Sequence, residues 1–446
     1  MNALPSEPSP RGSISQIARS APAQTTAVTH ARPSDHLSAV RFLSSVCPGW
    51  PASRLKASFD DPLYEPRDRL LIRAGTRLIG HAHTTQRVMQ FGAIRLPVSE
   101  VQWVLVAPEL RRQGLGRKLL DAAARHMSHQ DSLIGLVRTS AGAIFEKLGW
   151  GLVGVDHRST ISTRLLLSEM FTQDLLPEER RCRVNVRPCR RLEIEAIERI
   201  YNRNLPGTFG PMERTAATWQ WIVDRDEREQ LYVAASGPAS VDAEESRSEI
   251  LAYALVRGGR ILELLTTPGR RAAAVPLLAR LCREAMEKDR SQIVLHAPPD
   301  DHLHSLFRLA GGRTEDRQPD GGQVLMARVL APAKLLRQME PELLHRAEDA
   351  GLKLPFQWSI GLDRRGYLVT VDARGVTVTA GRHDEHWFCV AGHDLAPLVL
   401  GQLDWAAACK SGRVIVSGNR MRQAGSILFP RFSLWCPPLD SLAALL

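Results

Sequence analysis

A β-type apolar run, Trp103 to Val106, passes through the short turn Ala107-Pro108-Glu109 and reaches Arg111-Arg-Gln-Gly-Leu-Gly116. An amphipathic helix comes directly after it. Leu115, Leu119, Ala123 and Met127 recur at four-residue steps, which places them on one helical face. Gly114 and Gly116 remove side chains where a backbone must come close to a ligand. The amides of residues 112 to 117 then point at an anion, and the helix dipole favours negative charge there. Strand, glycine turn and helix start together predict a diphosphate cradle, and with it a domain that mixes strands and helices around one sheet.

Glycines alone do not say which cradle. The dinucleotide fingerprint G-x-G-x-x-G lacks its third glycine here, and the P-loop signature G-x-x-x-x-G-K-[ST] is absent. What stands in the chain is Arg-x-x-Gly-x-Gly after a Val-x-Pro strand end. About thirty residues on comes Ala143-Ile-Phe-Glu-Lys-Leu-Gly-Trp150. Together these resemble the two signatures of the GNAT N-acetyltransferases. The resemblance implies acetyl-CoA as co-substrate, with no metal. It implies that the amides around Val104, Leu105 and Val106 hold the acetyl and pantetheine portions. Arg111, Arg112, Gln113, Gly114, Leu115, Gly116 and Arg117 then hold the diphosphate. Arg111, Arg112 and Arg117 add charge-assisted bonds, or else are solvated arginines at a helix start.

The chain has 446 residues, enough for two or three domains, and an apolar content of 44%, ordinary for a globular core. Residues 1–35, rich in Ser, Pro, Ala and Thr and without an apolar h-region, read as a disordered tail. No apolar run approaches a membrane span. The seven cysteines show no C-x-x-C spacing, which argues against a disulfide framework or zinc cluster and for a reducing, cytoplasmic setting. The net charge of +10 suits a polyanionic ligand such as CoA. Its arginines are spread out and not blocked, so nucleic-acid binding has no support.

Residues 36–170 form the first unit. Within it Asp68–Arg73 and Thr76–His83 flank Ala74-Gly75 as a hairpin, and Ser132–Val137 is a further strand. Asp174–Arg183 reads as a linker. The second unit, 184–330, has an amphipathic helix at Leu192–Ile200, a polar loop at Gly237–Ser248, and strands at Ile250–Val256 and Ile261–Leu265. The turn Thr267–Arg271 and a helix from Val275 to Met286 complete it. That order repeats the first unit, but the turn holds one glycine, so it reads as a decayed copy without a usable diphosphate loop. The third unit, 331–446, has strands at Pro355–Asp363 and Tyr367–Asp372, an alternating strand at Gly375–Thr379, and an apolar helix at Asp394–Ala408.

This three-part plan resembles the enhanced intracellular survival (Eis) acetyltransferases over about residues 36–440. The fold it implies is α+β: a GNAT-type mixed sheet with helices, a degenerate second GNAT domain, and a sterol-carrier-protein-like C-terminal α+β domain. The acceptor implied is a primary amine, on a small molecule or a protein lysine. Eis-type proteins form hexamers, so a homo-oligomer stays open, although no stretch of the sequence marks an oligomer surface.

Acetyl transfer needs an amine that loses its proton, a stabilised oxyanion and a thiolate that leaves. Glu100, fourteen residues before Gly114, sits where histone acetyltransferases of the superfamily carry their base. Desolvation beside the apolar run would raise its pKa towards neutrality. The other reading is a solvent-facing strand glutamate. Eis-type chains use their terminal carboxylate as base, soon after a segment like Leu434-Trp-Cys436. Ten residues come after that segment here, which displaces Leu446 and leaves Asp440 near the expected place, as a second candidate base or as a capping aspartate. The tyrosines that donate a proton in generic GNAT and Eis-type enzymes are replaced by Phe145 and Trp150, and neither side chain is a practical acid. Tyr64 is the nearest spare phenol in sequence. The rival to a transferase is therefore an acyl-CoA- or lipid-binding module on a GNAT scaffold. His81, His83 and His383-Asp-Glu-His386 lack partners at metal-ligand spacing. Cys47 reads as a small buried residue.

Overall fold

A computed structural model describes residues 27–175, 184–225, 229–236, 249–315 and 323–441. Three sheets organise the chain. The first runs in the order Val28–His30, Arg69–Ala74, Arg77–Phe91, Ile94–Val106, Ile134–Thr139, Val324–Val329, Gly151–Val155, with Phe209–Met212 attached to Arg77–Phe91. The second runs Arg313–Glu315, Arg158–Ser162, Gln292–His296, Arg260–Thr266, Ile250–Arg257, Glu229–Ser236, Val184–Pro188. The third runs Gly375–Ala380, Arg365–Asp372, Phe356–Leu362, Trp387–Val390, Val414–Val416. Helices pack against all three, so the class is mixed α+β, as the sequence predicts.

The hairpin forms where Ala74-Gly75 implies it, because Gly75 takes a left-handed turn conformation, φ 60°. The helix after the glycines spans Leu115–His129 and buries Leu115, Leu119, Ala123 and Met127. They share a core with Leu70, Leu71, Ile72 and Val101 of the sheet.

Four features depart from the linear reading. Val28–His30, inside the expected tail, is an edge strand paired to Leu70–Ile72; the rest of that tail, 1–26, lies outside the described residues. Alternation of Val28 with its neighbours is too short to register as a strand without a partner. Second, two strands are exchanged between units. Arg158–Ser162 pairs with Gln292–His296 in the second sheet, and Val324–Val329 inserts between Ile134–Thr139 and Gly151–Val155 in the first. Chain order could not show this, since strand pairing is non-local. Third, the apolar stretch Asp394–Ala408 is two helices, Gly392–Val399 and Trp405–Ser411. Gly401 breaks it at φ 66°, and Asp404 caps the second helix by accepting the Ala407 amide at 2.7 Å. Fourth, the helix expected from Leu192 begins with a 3-10 turn, Arg191–Glu193, and runs Ile194–Asn204, burying Ile194, Ile197, Ile200 and Tyr201. Most of the expected linker, 176–183, and the loop 237–248 lie outside the described residues.

Candidate active site

The strand Ile94–Val106 and the strand Ile134–Thr139 are parallel neighbours, but their pairing covers only Val98–Val101 with Ile134–Val137. Beyond Val101 they part. One edge of Gln102–Val106 is thereby released from the sheet, while Val106 remains paired with Gly80 on the other side. A bulge marks the same place. Trp103 has φ 52°, and the register with the neighbouring strand shifts between His81 and His83. A bulge re-aims side chains. Val101 packs in the core under the helix Leu115–His129, whereas Trp103 turns into the opposite core with Leu43, Leu55, Trp219 and Trp221.

The released strand leads through the 3-10 turn Pro108–Leu110 to the glycines. Gly114 occupies the helix N-cap at φ 79°, a conformation costly to any residue with a Cβ. A Cβ at Gly114 or Gly116 would meet nothing within 4 Å, so open space lies over both. Arg111, Arg112, Gln113 and Arg117 are exposed around it, and the Arg111 Nε donates to the Val106 carbonyl at 3.3 Å. The helix is fifteen residues long, so its aligned dipole and free N-terminal amides face that space. Room, amide donors and positive charge all fit a diphosphate.

Glu100 lies on the same strand, one residue before the pairing ends, and is 8% exposed. It is not a solvent-facing strand residue. Gln102 Nε2 donates to its Oε2 at 2.7 Å, and the Ser441 hydroxyl donates to its Oε1. Burial raises its pKa above the ordinary glutamate value, opposed by the Ser441 and Gln102 hydrogen bonds and by the charges of Arg138 and Arg87. Across the strand pair, Thr85 faces Glu100 and His83 faces Gln102, giving one polar face. Both His83 ring nitrogens, Thr85 Oγ1, Gln102 Oε1 and Trp103 Nε1 are buried without a hydrogen-bond partner there. Tyr64 stands over this face, its ring centroid 5.6 Å from that of His83. Its hydroxyl contacts His36 Nε2 at 2.8 Å and accepts from Arg69 Nε at 3.1 Å. Burial raises the Tyr64 pKa.

Arg69 also binds His81 Nε2 at 3.1 Å, and burial with the Arg69 charge pushes His81 down to about 3. His81 is thus a neutral structural partner. His383 accepts the backbone amides of Glu385 and His386 and shapes a loop. Among the described residues no group of three His, Cys, Asp or Glu side chains could hold a metal. Cys47 is half-buried and its thiol is pushed up by burial. Phe145 and Trp150 are buried and meet edge to face, 5.8 Å apart, in the core beneath the sheet.

Ser441 arrives on residues 434–441, which touch both the first sheet and the second unit. Leu434 bridges to Phe209, the Trp435 amide donates to the Phe209 carbonyl at 2.9 Å, and Arg138 donates to the Cys436 carbonyl. Arg225 donates to the Leu439 carbonyl at 3.0 Å. Asp440 is engaged elsewhere: its Oδ1 accepts from Arg214 Nε at 2.7 Å and its Oδ2 from the Met212 amide at 3.2 Å. Leu446 lies outside the described residues. Sequence reasoning missed Gln102, Ser441, Arg138 and Arg214. Only Gln102 had a signal, being two residues from Glu100 on a strand and so on the same face.

A parted strand pair, a bulge and a glycine-capped helix in this order have a counterpart among known families: the acetyltransferase (GNAT) domain, whose sequence model matches residues 28–153. Residues 28–153 are a GNAT acetyltransferase domain. No curated protein matches the chain by sequence. Solved structures do match it along most of its length. A GCN5-related N-acetyltransferase from Anabaena variabilis ATCC 29413 has 15% identity and a TM-score of 0.70, covering 92% of this chain and 98% of that one. One from Kribbella flavida has 15% identity and a TM-score of 0.68, with 92% and 97% covered. Eis1 from Mycobacterium abscessus has 16% identity and a TM-score of 0.64, with 92% and 99% covered. All three share the fold of the GNAT domain and of most of the remaining chain. A GNAT acetyltransferase domain supports acyl transfer in general as the chemistry of this chain.

Proposed function

We propose that the chain transfers an acetyl group from acetyl-CoA to a primary amine, on a small molecule or a protein lysine, in a cytoplasmic setting. The observation that carries this reading is the position of Glu100. A buried carboxylate sits beside the point where the two strands part, on the strand that leads to the glycine-capped helix. The amides of Val104, Leu105 and Val106 would hold the acetyl and pantetheine portions. Residues 111–117 would hold the diphosphate. Glu100 accepts a proton from the acceptor ammonium. The neutral nitrogen then attacks the thioester carbonyl carbon, the C–S bond breaks and CoA leaves as thiolate, while the proton that the nitrogen sheds on becoming an amide balances the one the thiolate takes up. Tyr64 is a phenol on the polar face of this site and a candidate to protonate that thiolate.

A cavity of about 780 Å³ lies between the helices Ala52–Ala57 and Ala216–Asp224. Lys56, Asp60, Trp221, Asp224 and Arg225 line it, two cations against two carboxylates. Behind Trp221 lies Arg87, paired with the buried Asp61. The second unit, with a single glycine in Thr267–Arg271, supports no second diphosphate site. Residues 331–446, with their own five-stranded sheet, fit a sterol-carrier-like unit.

The test is release of free CoA from acetyl-CoA with a panel of amines, for wild type and Glu100→Gln. Turnover in wild type and a fall of ~10²-fold or more in kcat/KM at neutral pH are expected for the variant. Binding of CoA without turnover of any amine would favour the alternative, a non-catalytic acyl-CoA-binding module. The buried Phe145 and Trp150 in place of tyrosines would then be its cause.

A further inference from the structure

Arg214 is among the most deeply buried charges of the described chain, its side chain 1% exposed. It holds Glu263 by two bonds of 2.8 Å and Asp440 by one of 2.7 Å. Its guanidinium lies 4.1 Å from the Tyr201 ring centroid, and Tyr253 donates to Glu263 at 2.7 Å. Glu263 and Tyr253 belong to adjacent strands of the second sheet. Asp440 alone comes from elsewhere. A buried cation shared between two carboxylates therefore ties the chain end to the second unit, and the next residue, Ser441, reaches Glu100 in the first.

We propose that Arg214 is a positioning residue for the transferase site: by fixing Asp440 it holds the Ser441 hydroxyl on Glu100. The second unit thereby acts on a site in the first. Asp440 is the anchor in this arrangement, held by the Arg214 guanidinium and the Met212 amide. The inference rests on the reading of Glu100 as the base.

The physical consequence is specific. A hydroxyl donating to a carboxylate favours the ionised form. The other groups facing Glu100 are Gln102 on its own strand, Arg138 on the next, and Arg87 with its partner Asp61; on the tail they are Cys436 and Asp440. Releasing the tail removes the Ser441 donor and frees Arg138 from the Cys436 carbonyl, while Arg87 and Asp61 stay. Losing one hydrogen bond to a charged group is worth roughly one pH unit. The sign is upward: Glu100 then holds its proton to higher pH, so the acid limb of kcat/KM moves up, by about tenfold in rate on its acid side.

The experiment measures pH profiles of kcat/KM in the full chain for wild type, Ser441→Ala, Asp440→Asn, Arg214→Gln and Arg214→Lys, with CoA affinity and hydrogen exchange over residues 434–441. Ser441→Ala, Asp440→Asn and Arg214→Gln should each raise the acid limb, and Arg214→Lys should restore part of the shift. The double variant Asp440→Asn/Ser441→Ala should shift it no further than Ser441→Ala alone. Exchange at 434–441 should rise in Asp440→Asn and Arg214→Gln, with CoA affinity unchanged. Should Arg214→Gln fail to fold with two acids left buried, Asp440→Asn and Ser441→Ala carry the test. An unmoved limb, or a loss in Asp440→Asn that is equal at every pH, overturns the proposal. Glu100→Gln separates the two readings. If the acid limb survives in it, the Glu100 assignment fails. If the limb vanishes there but ignores the Arg214 and Asp440 variants, only the positioning role fails.

Discussion

Under the proposed function, two residues bear on the chemistry in different ways. Gly114 is a conformational requirement: at φ 79°, with open space over its Cβ position, it shapes a cradle that a side chain would fill. Gly114→Asp adds strain, bulk and a negative charge where the proposed diphosphate would lie. Calorimetry should show CoA affinity lost in this variant and present in wild type, and equal affinity would remove the cradle from the site. Glu100 is an electrostatic requirement. Its buried carboxyl is raised by desolvation and partly restored by donors, which suits a base that must ionise near neutral pH. Folding does not gain from that ionisation. With a folded pKa above the unfolded one, the protonated form is favoured in the native state, so this group's contribution to stability falls as pH rises through the folded pKa.

At the scale of elements, the short strand Phe209–Met212 joins three parts of the molecule. It pairs with Arg77–Phe91 at Met89 and Phe91, it meets the chain end at Leu434 and Trp435, and it precedes Arg214. Gly210 makes this possible, because a Cβ there would lie 2.3 Å from the Trp435 carbonyl oxygen, and its φ is 115°. Gly210→Ala should push the chain end away from the strand. We expect a lower melting temperature, of the order of 1–3 kcal/mol in stability, with transfer activity reduced and CoA affinity kept. Unchanged melting and activity would show that the chain end does not depend on this contact. The helix Leu115–His129 is different in kind: its apolar face shares a core with Leu70, Leu71, Ile72 and Val101 and with no residue of Phe209–Met212, so cofactor binding should survive changes at Gly210.

At the scale of the whole molecule, the exchanged strands make the units interdependent. Val324–Val329 fills the gap between two strands of the first sheet and buries Leu325, Met326 and Ala327. A fragment ending at residue 175 loses that strand and exposes two unpaired edges. It should aggregate or elute as a broad, expanded species in size-exclusion chromatography; a monodisperse, cooperatively melting fragment would contradict this. The full chain should bind one CoA, since the single-glycine turn of the second unit lacks the first unit's Arg-x-x-Gly-x-Gly. Two sites per chain by calorimetry would overturn that assignment.

What the sequence determined by itself was local. The periodicity of Leu115, Leu119, Ala123 and Met127, the glycines before it, the Ala74-Gly75 hairpin and the alternation at Gly375–Thr379 each depend on neighbours within a few residues. These were enough for the α+β class, the GNAT domain and its glycine-capped helix start. Candidate residues such as Glu100 could be named, but not their burial. Only the tertiary structure decided which strands were exchanged, that Trp103 turns at a bulge, and that Asp440 meets Arg214 while Ser441 meets Glu100. Those contacts join residues more than two hundred positions apart. No periodicity spans such distances, because the free energy that selects them comes from burying surfaces and pairing charges that meet only after the chain has folded.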